Sequence, residues 1–177
     1  KNARGKPAAR VLMDEMREQR DWVAWNAMSQ TLKSFWSGQL WGISNAGASD
    51  AVVLRTQRDA GLSDIADFAA YVEAGLVTAE EYANEHDTSL GLFEWSAPEG
   101  CPKDDVDGIL QANPSIGYGA MTVQDALSDI RSMTDAGYRT EVLCQWVTVR
   151  VNSFIDVRDF TALYVPPSEV KITKGER

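Results

Sequence analysis

Arg10-Val11-Leu12-Met13-Asp14-Glu15 is the stretch whose reading decides the fold: a short apolar run that stops at two adjacent acids. Its companion is Gln39-Leu40-Trp41-Gly42-Ile43-Ser44-Asn45-Ala46-Gly47, a second apolar run that stops at Ser-Asn and small residues. Val11, Leu12 and Met13 read as a strand of the fully apolar kind that a parallel sheet buries on both faces. Between the two runs, Val23, Ala24, Ala27, Met28, Thr31 and Leu32 recur at the spacing of one helical stripe, and Ser34 and Gly38 end the pattern. A connection of that length accommodates a crossover, so two parallel strands joined by a helix are expected. The polar residues then lie at the carboxyl ends of both strands, where open α/β sheets hold their ligands.

Working outward, Gly5 and Pro7 mark a loop leading into the first strand. Gly5-Lys6 lacks the following Ser or Thr and the helix that a phosphate-binding loop requires, since Pro7 comes next. Downstream, Ser49-Asp50 suggests the cap of a helix reaching Ala60, with Gly61 closing it and Ser63 opening another. Ile65, Phe68, Ala69, Val72 and Leu76 keep one face of that second helix apolar. Thr78-Ala79-Glu80-Glu81 matches a capping box and predicts a short helix. Residues 90–95 read as a further strand, stopped by Pro98 and Gly100. From Cys101 to Gly119 the composition shifts to Pro, Gly, Asp and Asn, which suggests a subdomain boundary. Thr122 opens a helix expected to run to Gly137, residues 138–151 form an ordered segment of helix or strand, and Val165-Pro166-Pro167-Ser168 breaks regular structure.

The chain has 177 residues, enough for one domain with a core and a small subdomain. No apolar run approaches the ~20 residues of a membrane span, so no membrane association is expected. Cys101 and Cys144 lie far apart and His86 is the sole histidine, which argues against a zinc site or disulfide framework and fits a reducing cytosol. The formal net charge of -9 argues against a dominant nucleic-acid surface, although Lys1, Arg4, Lys6 and Arg10 form a basic start. His86 between acids reads as a solvated loop residue, and Asp104, Asp105 and Asp107 as an acidic turn without the Gly and terminal Glu of a calcium loop. The six tryptophans read as packing contacts. Arg55 and Arg58 could reach a phosphate or DNA, or simply occupy an exposed helix face.

An apolar strand ending in Asp-Glu is the Walker B arrangement of nucleotide hydrolases. That chemistry needs one carboxylate to hold the Mg²⁺ that bridges the nucleotide phosphates and a second to orient and help deprotonate the attacking water, and a strand end lets Asp14 face the metal while Glu15 faces the γ-phosphate. The plain structural alternative is an acidic cap of the following helix, favoured by its dipole. Ser44 and Asn45, at the end of the neighbouring strand, are placed to reach the γ-phosphate or the water, although a Ser-Asn turn is also commonplace.

Several segments in one order resemble the large terminase subunit of tailed bacteriophages, the ATP-driven motor that packages and cuts DNA. They are Val-Leu-Met-Asp-Glu from Val11, Gln-Leu-Trp-Gly-Ile-Ser-Asn-Ala-Gly from Gln39, and Phe-Glu-Trp-Ser-Ala-Pro-Glu-Gly-Cys from Phe93. Gln-Ala-Asn-Pro-Ser-Ile-Gly from Gln111 and Tyr-Arg-Thr-Glu-Val-Leu-Cys-Gln-Trp-Val from Tyr138 continue it. Together they cover most of the chain; residues 65–84 and the tail after Asp156 have no counterpart. The resemblance implies a partial P-loop NTPase α/β sheet flanked by helices, followed by a small, mostly helical linker subdomain. Residues 1–100 would be the second half of the ATPase domain, 101–165 the linker, and 166–177 a connection toward a nuclease. It implies that Asp14 binds Mg²⁺, that Glu15 is catalytic, and that Ser44 and Asn45 couple ATP hydrolysis to movement. The partners implied are double-stranded DNA, the portal protein and the small terminase subunit, with a homo-oligomeric ring working in the cytoplasm of an infected bacterial host. The family's phosphate-binding loop and its nuclease, with a cluster of metal-binding acids, have no counterpart in these residues, so negligible ATP binding is expected from this chain alone. Another P-loop motor such as a helicase, or a non-catalytic α/β interaction module, are the alternatives.

Overall fold

A computed structural model describes residues 7–119, 121–147 and 163–166. The basic residues before Pro7, the segment from Arg150 onward through Asp156, and the charged end after Pro166 lie outside the described residues.

The opening run forms strand β1 (Arg10–Met13) and its companion forms β2 (Gln39–Gly42). They pair in parallel, Arg10 opposite Gln39 and Met13 opposite Gly42, as the crossover spacing predicts. The ladder continues past the strand ends, with Ile43 N–H donating to Met13 O at 2.9 Å and Met16 N–H donating to Ile43 O at 3.2 Å. Helix α1 (Val23–Leu32) fills the crossover. Its buried stripe is rotated from the expected one: Trp22, Ala24, Trp25 and Met28 pack on the core, whereas Val23 is 61% exposed. The two tryptophans meet edge to face and supply the apolar contact that draws this side of α1 inward.

β1 is buried on one face only. Met13 is 4% exposed and Val11 half-buried, but Leu12 is 65% exposed. Among the described residues the sheet has two strands, so the expected burial on both faces is not reached and a complete P-loop sheet is not formed. Gly42 leaves room at the end of β2 for the Met16 side chain, whose Sδ a Cβ there would displace. That vacancy lets Met16 tuck under β2 and draws the residues after the two acids against the sheet.

Helix α2 (Val52–Phe68) corrects the expected pair of helices. It runs uninterrupted through Gly61 and takes Ala51 as its N-cap residue. Gly61 is not a terminator but a crossing point: a Cβ there would lie 2.9 Å from Leu92 Cβ. Residues 90–95 pass α2 without regular secondary structure, Leu92 beside Gly61 and Glu94 bonded to Arg58, and do not form the expected strand among the described residues. α2 continues into a π-helical turn, Ala69–Glu73, and then α3 (Ala79–Glu85), which begins with the predicted capping box. Glu81 N–H donates to Thr78 Oγ1 at 3.2 Å, and Thr78 N–H donates to Glu81 Oε2 at 2.8 Å.

Three short helices follow: α4 (Val106–Ala112), α5 (Val123–Asp129) and α6 (Asp135–Glu141). The helix expected from Thr122 to Gly137 therefore stops early, and Thr134 caps a new one by accepting Gly137 N–H at 3.1 Å. Residues 138–151, whose type the periodicity leaves open, begin within α6 and leave it as irregular chain; 148–151 lie outside the described residues. Tyr138, Ile109 and Leu143 are fully buried and hold the three helices together with Ala97, Cys101, Ala112, Ala126 and Val142. A second, smaller core joins Met13, Met16 and Val53 under the sheet. No helix among the described residues is long and apolar enough to cross a membrane.

Candidate functional site

β1 delivers the two acids. Met13 is anchored in the core, so Asp14 and Glu15 emerge into solvent at a fixed point directly after it. Asp14 Oδ1 accepts Glu15 N–H at 3.0 Å, and Glu15 takes left-handed backbone, φ 48° and ψ 48°. A non-glycine residue pays about 1–2 kcal/mol for that conformation. The kink leads into a 3₁₀ turn, Met16–Glu18, whose first residue is again buried. Arg17 is thereby turned back beside Glu15, and its Nε donates to Glu15 Oε2 at 2.7 Å.

β2 delivers Ser44 and Asn45 to the same place. Ser44 Oγ accepts Arg17 N–H at 3.0 Å. Asn45 Nδ2 donates to Glu141 Oε2 at 2.8 Å, and Arg17 Nη1 donates to Glu141 Oε1 at 2.7 Å. All four residues singled out from sequence, Asp14, Glu15, Ser44 and Asn45, therefore sit at adjoining strand ends. Three of them join one network with Arg17 and Glu141, which sequence reasoning missed. Arg17 carried a weak signal in standing two residues after Glu15; Glu141, 124 residues further on, carried none.

The Arg17 side chain is 18% exposed, against 51% for Glu15 and 40% for Glu141. Burial pulls its guanidinium pKa down, but hydrogen bonding and charge from Glu141, then Glu15, outweigh this and hold it above its ordinary value. An open cleft of about 270 Å³ adjoins the network, lined among others by Arg17, Arg20, Gly47, Asp50, Thr140 and Glu141.

Arg55 and Arg58 do not form a free cationic face. The Arg58 guanidinium grips Glu94 with two bonds, Nε to Oε2 at 2.6 Å and Nη2 to Oε1 at 2.9 Å, and holds that carboxyl below its usual range. Both arginines lie over the Trp146 ring, at 4.8 and 5.8 Å, so this tryptophan is a packing contact between α2 and the chain after α6. His86 is stacked on Tyr82 with centroids 4.0 Å apart rather than simply solvated.

Among the described residues, no group of three or more His, Cys, Asp or Glu could hold a metal. Asp14 is a single exposed carboxylate. That donor set fits Mg²⁺, which commonly takes one or two carboxylates and fills its octahedron with water and phosphate oxygens, but only if a nucleotide brings the phosphates. No model of a known protein family matches this chain, and neither a curated protein nor a solved structure matches it.

Proposed function

We propose that this chain carries the catalytic acids and coupling loop of a DNA-packaging ATPase of the large terminase type. The observation that carries the reading is the meeting of Asp14-Glu15 and Ser44-Asn45 at adjoining carboxyl ends of two parallel strands. A hydrolase needs an acid for the metal, an acid for the water, and a polar group on the next strand within reach of both. The acidic-cap alternative has less support, because Asp14 Oδ1 accepts the N–H of the adjacent Glu15, whereas Val23 N–H at the start of α1 donates to Asp21 Oδ1.

In this reading Mg·ATP, when bound, supplies the electrophilic γ-phosphorus and charge neutralisation. Asp14 would hold the metal ion through a carboxylate oxygen. Glu15 would accept the proton of the attacking water on one carboxylate oxygen while Arg17 Nε holds the other, Oε2. Ser44 and Asn45 would pass the change to α6, because Asn45 is bonded to Glu141. Double-stranded DNA, the portal protein, the small terminase subunit and a ring of like subunits belong to the same proposal, as do a nuclease elsewhere in the full-length polypeptide and action in the host cytoplasm.

The test is Glu15→Gln in the full-length polypeptide. Steady-state phosphate release should fall by at least about 10²-fold, with ATP binding retained in equilibrium titration. Hydrolysis at the wild-type rate would overturn the assignment.

A further inference from the structure

We propose that Arg17 is a positioning residue that ties the Glu15 carboxylate to helix α6 through Glu141, so that the placement of Glu15 depends on how α6 is docked. The catalytic consequence rests on the ATPase reading above; the mechanical link does not.

The geometry is that of a two-handed clamp. Arg17 uses different nitrogens for its two carboxylates, Nε for Glu15 and Nη1 for Glu141, both at 2.7 Å. A planar guanidinium presents its donors in a rigid fork, so moving one carboxylate turns the plane that faces the other. The fork is itself fixed at its base, because Arg17 N–H is bonded to Ser44 Oγ. Glu141 is fixed at its other oxygen by Asn45.

The two ends of the clamp belong to different cores. Glu15 lies between Met13 and Met16, both buried under the sheet. Glu141 ends α6, whose neighbours Tyr138, Val142 and Leu143 are buried in the helical core. Other links between these regions, such as Val147 N–H to Gly47 O at 3.3 Å and Trp146 over Arg55, do not touch Glu15. Among the described residues, Arg17 is bonded directly to both the Glu15 and the Glu141 carboxylates, so movement of α6 reaches the acid through it. Coupling of this kind is reciprocal, so a change at Glu15 must register at α6.

The experiment is a mutant cycle on the whole chain, read by amide hydrogen exchange at Val142 and Leu143, whose N–H groups bond back to Tyr138 O. Glu15→Ala removes the acceptor that orients the fork and should speed their exchange about threefold, the scale of a partly exposed ion pair. In an Arg17→Ala background the same substitution should leave the rates unchanged. An equal effect in both backgrounds, or none in either, overturns the link. A second arm uses Arg17→Lys in the full-length polypeptide, which keeps the charge and loses the fork. It should lower kcat for ATP about tenfold with KM within about twofold, the signature of a misplaced group and not of lost binding. Wild-type turnover in that variant overturns the positioning role. Failure of the ATPase reading would look different: Glu15→Gln would hydrolyse normally while the exchange cycle still reported on the link.

Discussion

Glu15 is held in a conformation that its own contacts do not justify. Left-handed backbone costs a residue with a Cβ about 1–2 kcal/mol, and its exposed ion pair with Arg17 contributes about 0–1 kcal/mol. The remainder comes from the flanking residues, since Met13 and Met16 are both buried and the chain between them must turn sharply. Glycine at this position would adopt the same backbone without strain. Glu15→Gly should therefore be more stable than Glu15→Gln, which loses the same charge, by about 1 kcal/mol in urea unfolding. Equal midpoints would mean that the kink relaxes when the side chain changes. The acids themselves are readable from sequence because an apolar run ending in Asp-Glu is a local pattern. The kink is not, because it arises from Met16 fitting into the space beside Gly42. Glu141 is not readable either, because nothing near it in sequence distinguishes it from any solvated glutamate.

At the level of elements, the capping box at Thr78 is legible because its partners are close in sequence, whereas the equally local Ser49-Asp50 does not supply the N-cap residue of α2, which is Ala51. The Thr78 capping box is complete within four residues, and so is the one formed by Thr122 and Asp125. Gly61 reads as a terminator in sequence, whereas its partner, Leu92, comes from a distant segment that meets it on α2. The caps also carry a pH dependence. The Thr78 backbone N–H and hydroxyl hold the Glu81 carboxyl below its ordinary 4.5, and the Thr122 hydroxyl and N–H hold Asp125 below 3.8. A depressed carboxylate adds stability at pH values above its unfolded pKa, and that stability is lost as pH falls through the lowered folded value. The melting temperature should hold steady above about pH 5 and decline as pH drops toward 3. Glu81→Gln keeps an N3 side chain able to complete the box but loses the charge, so it should lower the melting temperature near neutral pH, converge with the wild type toward pH 3, and so flatten part of that decline. An acid limb identical to wild type would exclude Glu81 as a contributor.

Across the whole molecule, the apolar interior is divided unequally. Among the described residues, eight buried ones gather around α4, α5 and α6, and three under the sheet. The change of composition near Cys101 is legible in the sequence, but the helical core also takes in Ala97, whose N–H donates to Leu143 O at 2.9 Å. A two-strand sheet with so little beneath it leaves one side bare: Leu12 at 65%, Ile43 at 50% and Trp41 at 49% exposure lie at or beside strands whose outer edges have no partner among the described residues. The colloidal behaviour of the chain follows from that side combined with the net charge of -9. At low ionic strength the repulsion between copies reaches about 30 Å and keeps such sides apart, while at 1 M salt it reaches only about 3 Å. Light-scattering mass should therefore rise with added salt, and Leu12→Lys should suppress the rise; a mass that is flat or falls with salt would contradict this. Salt here acts as the trigger of association, the reverse of its effect on copies held together by ion pairs.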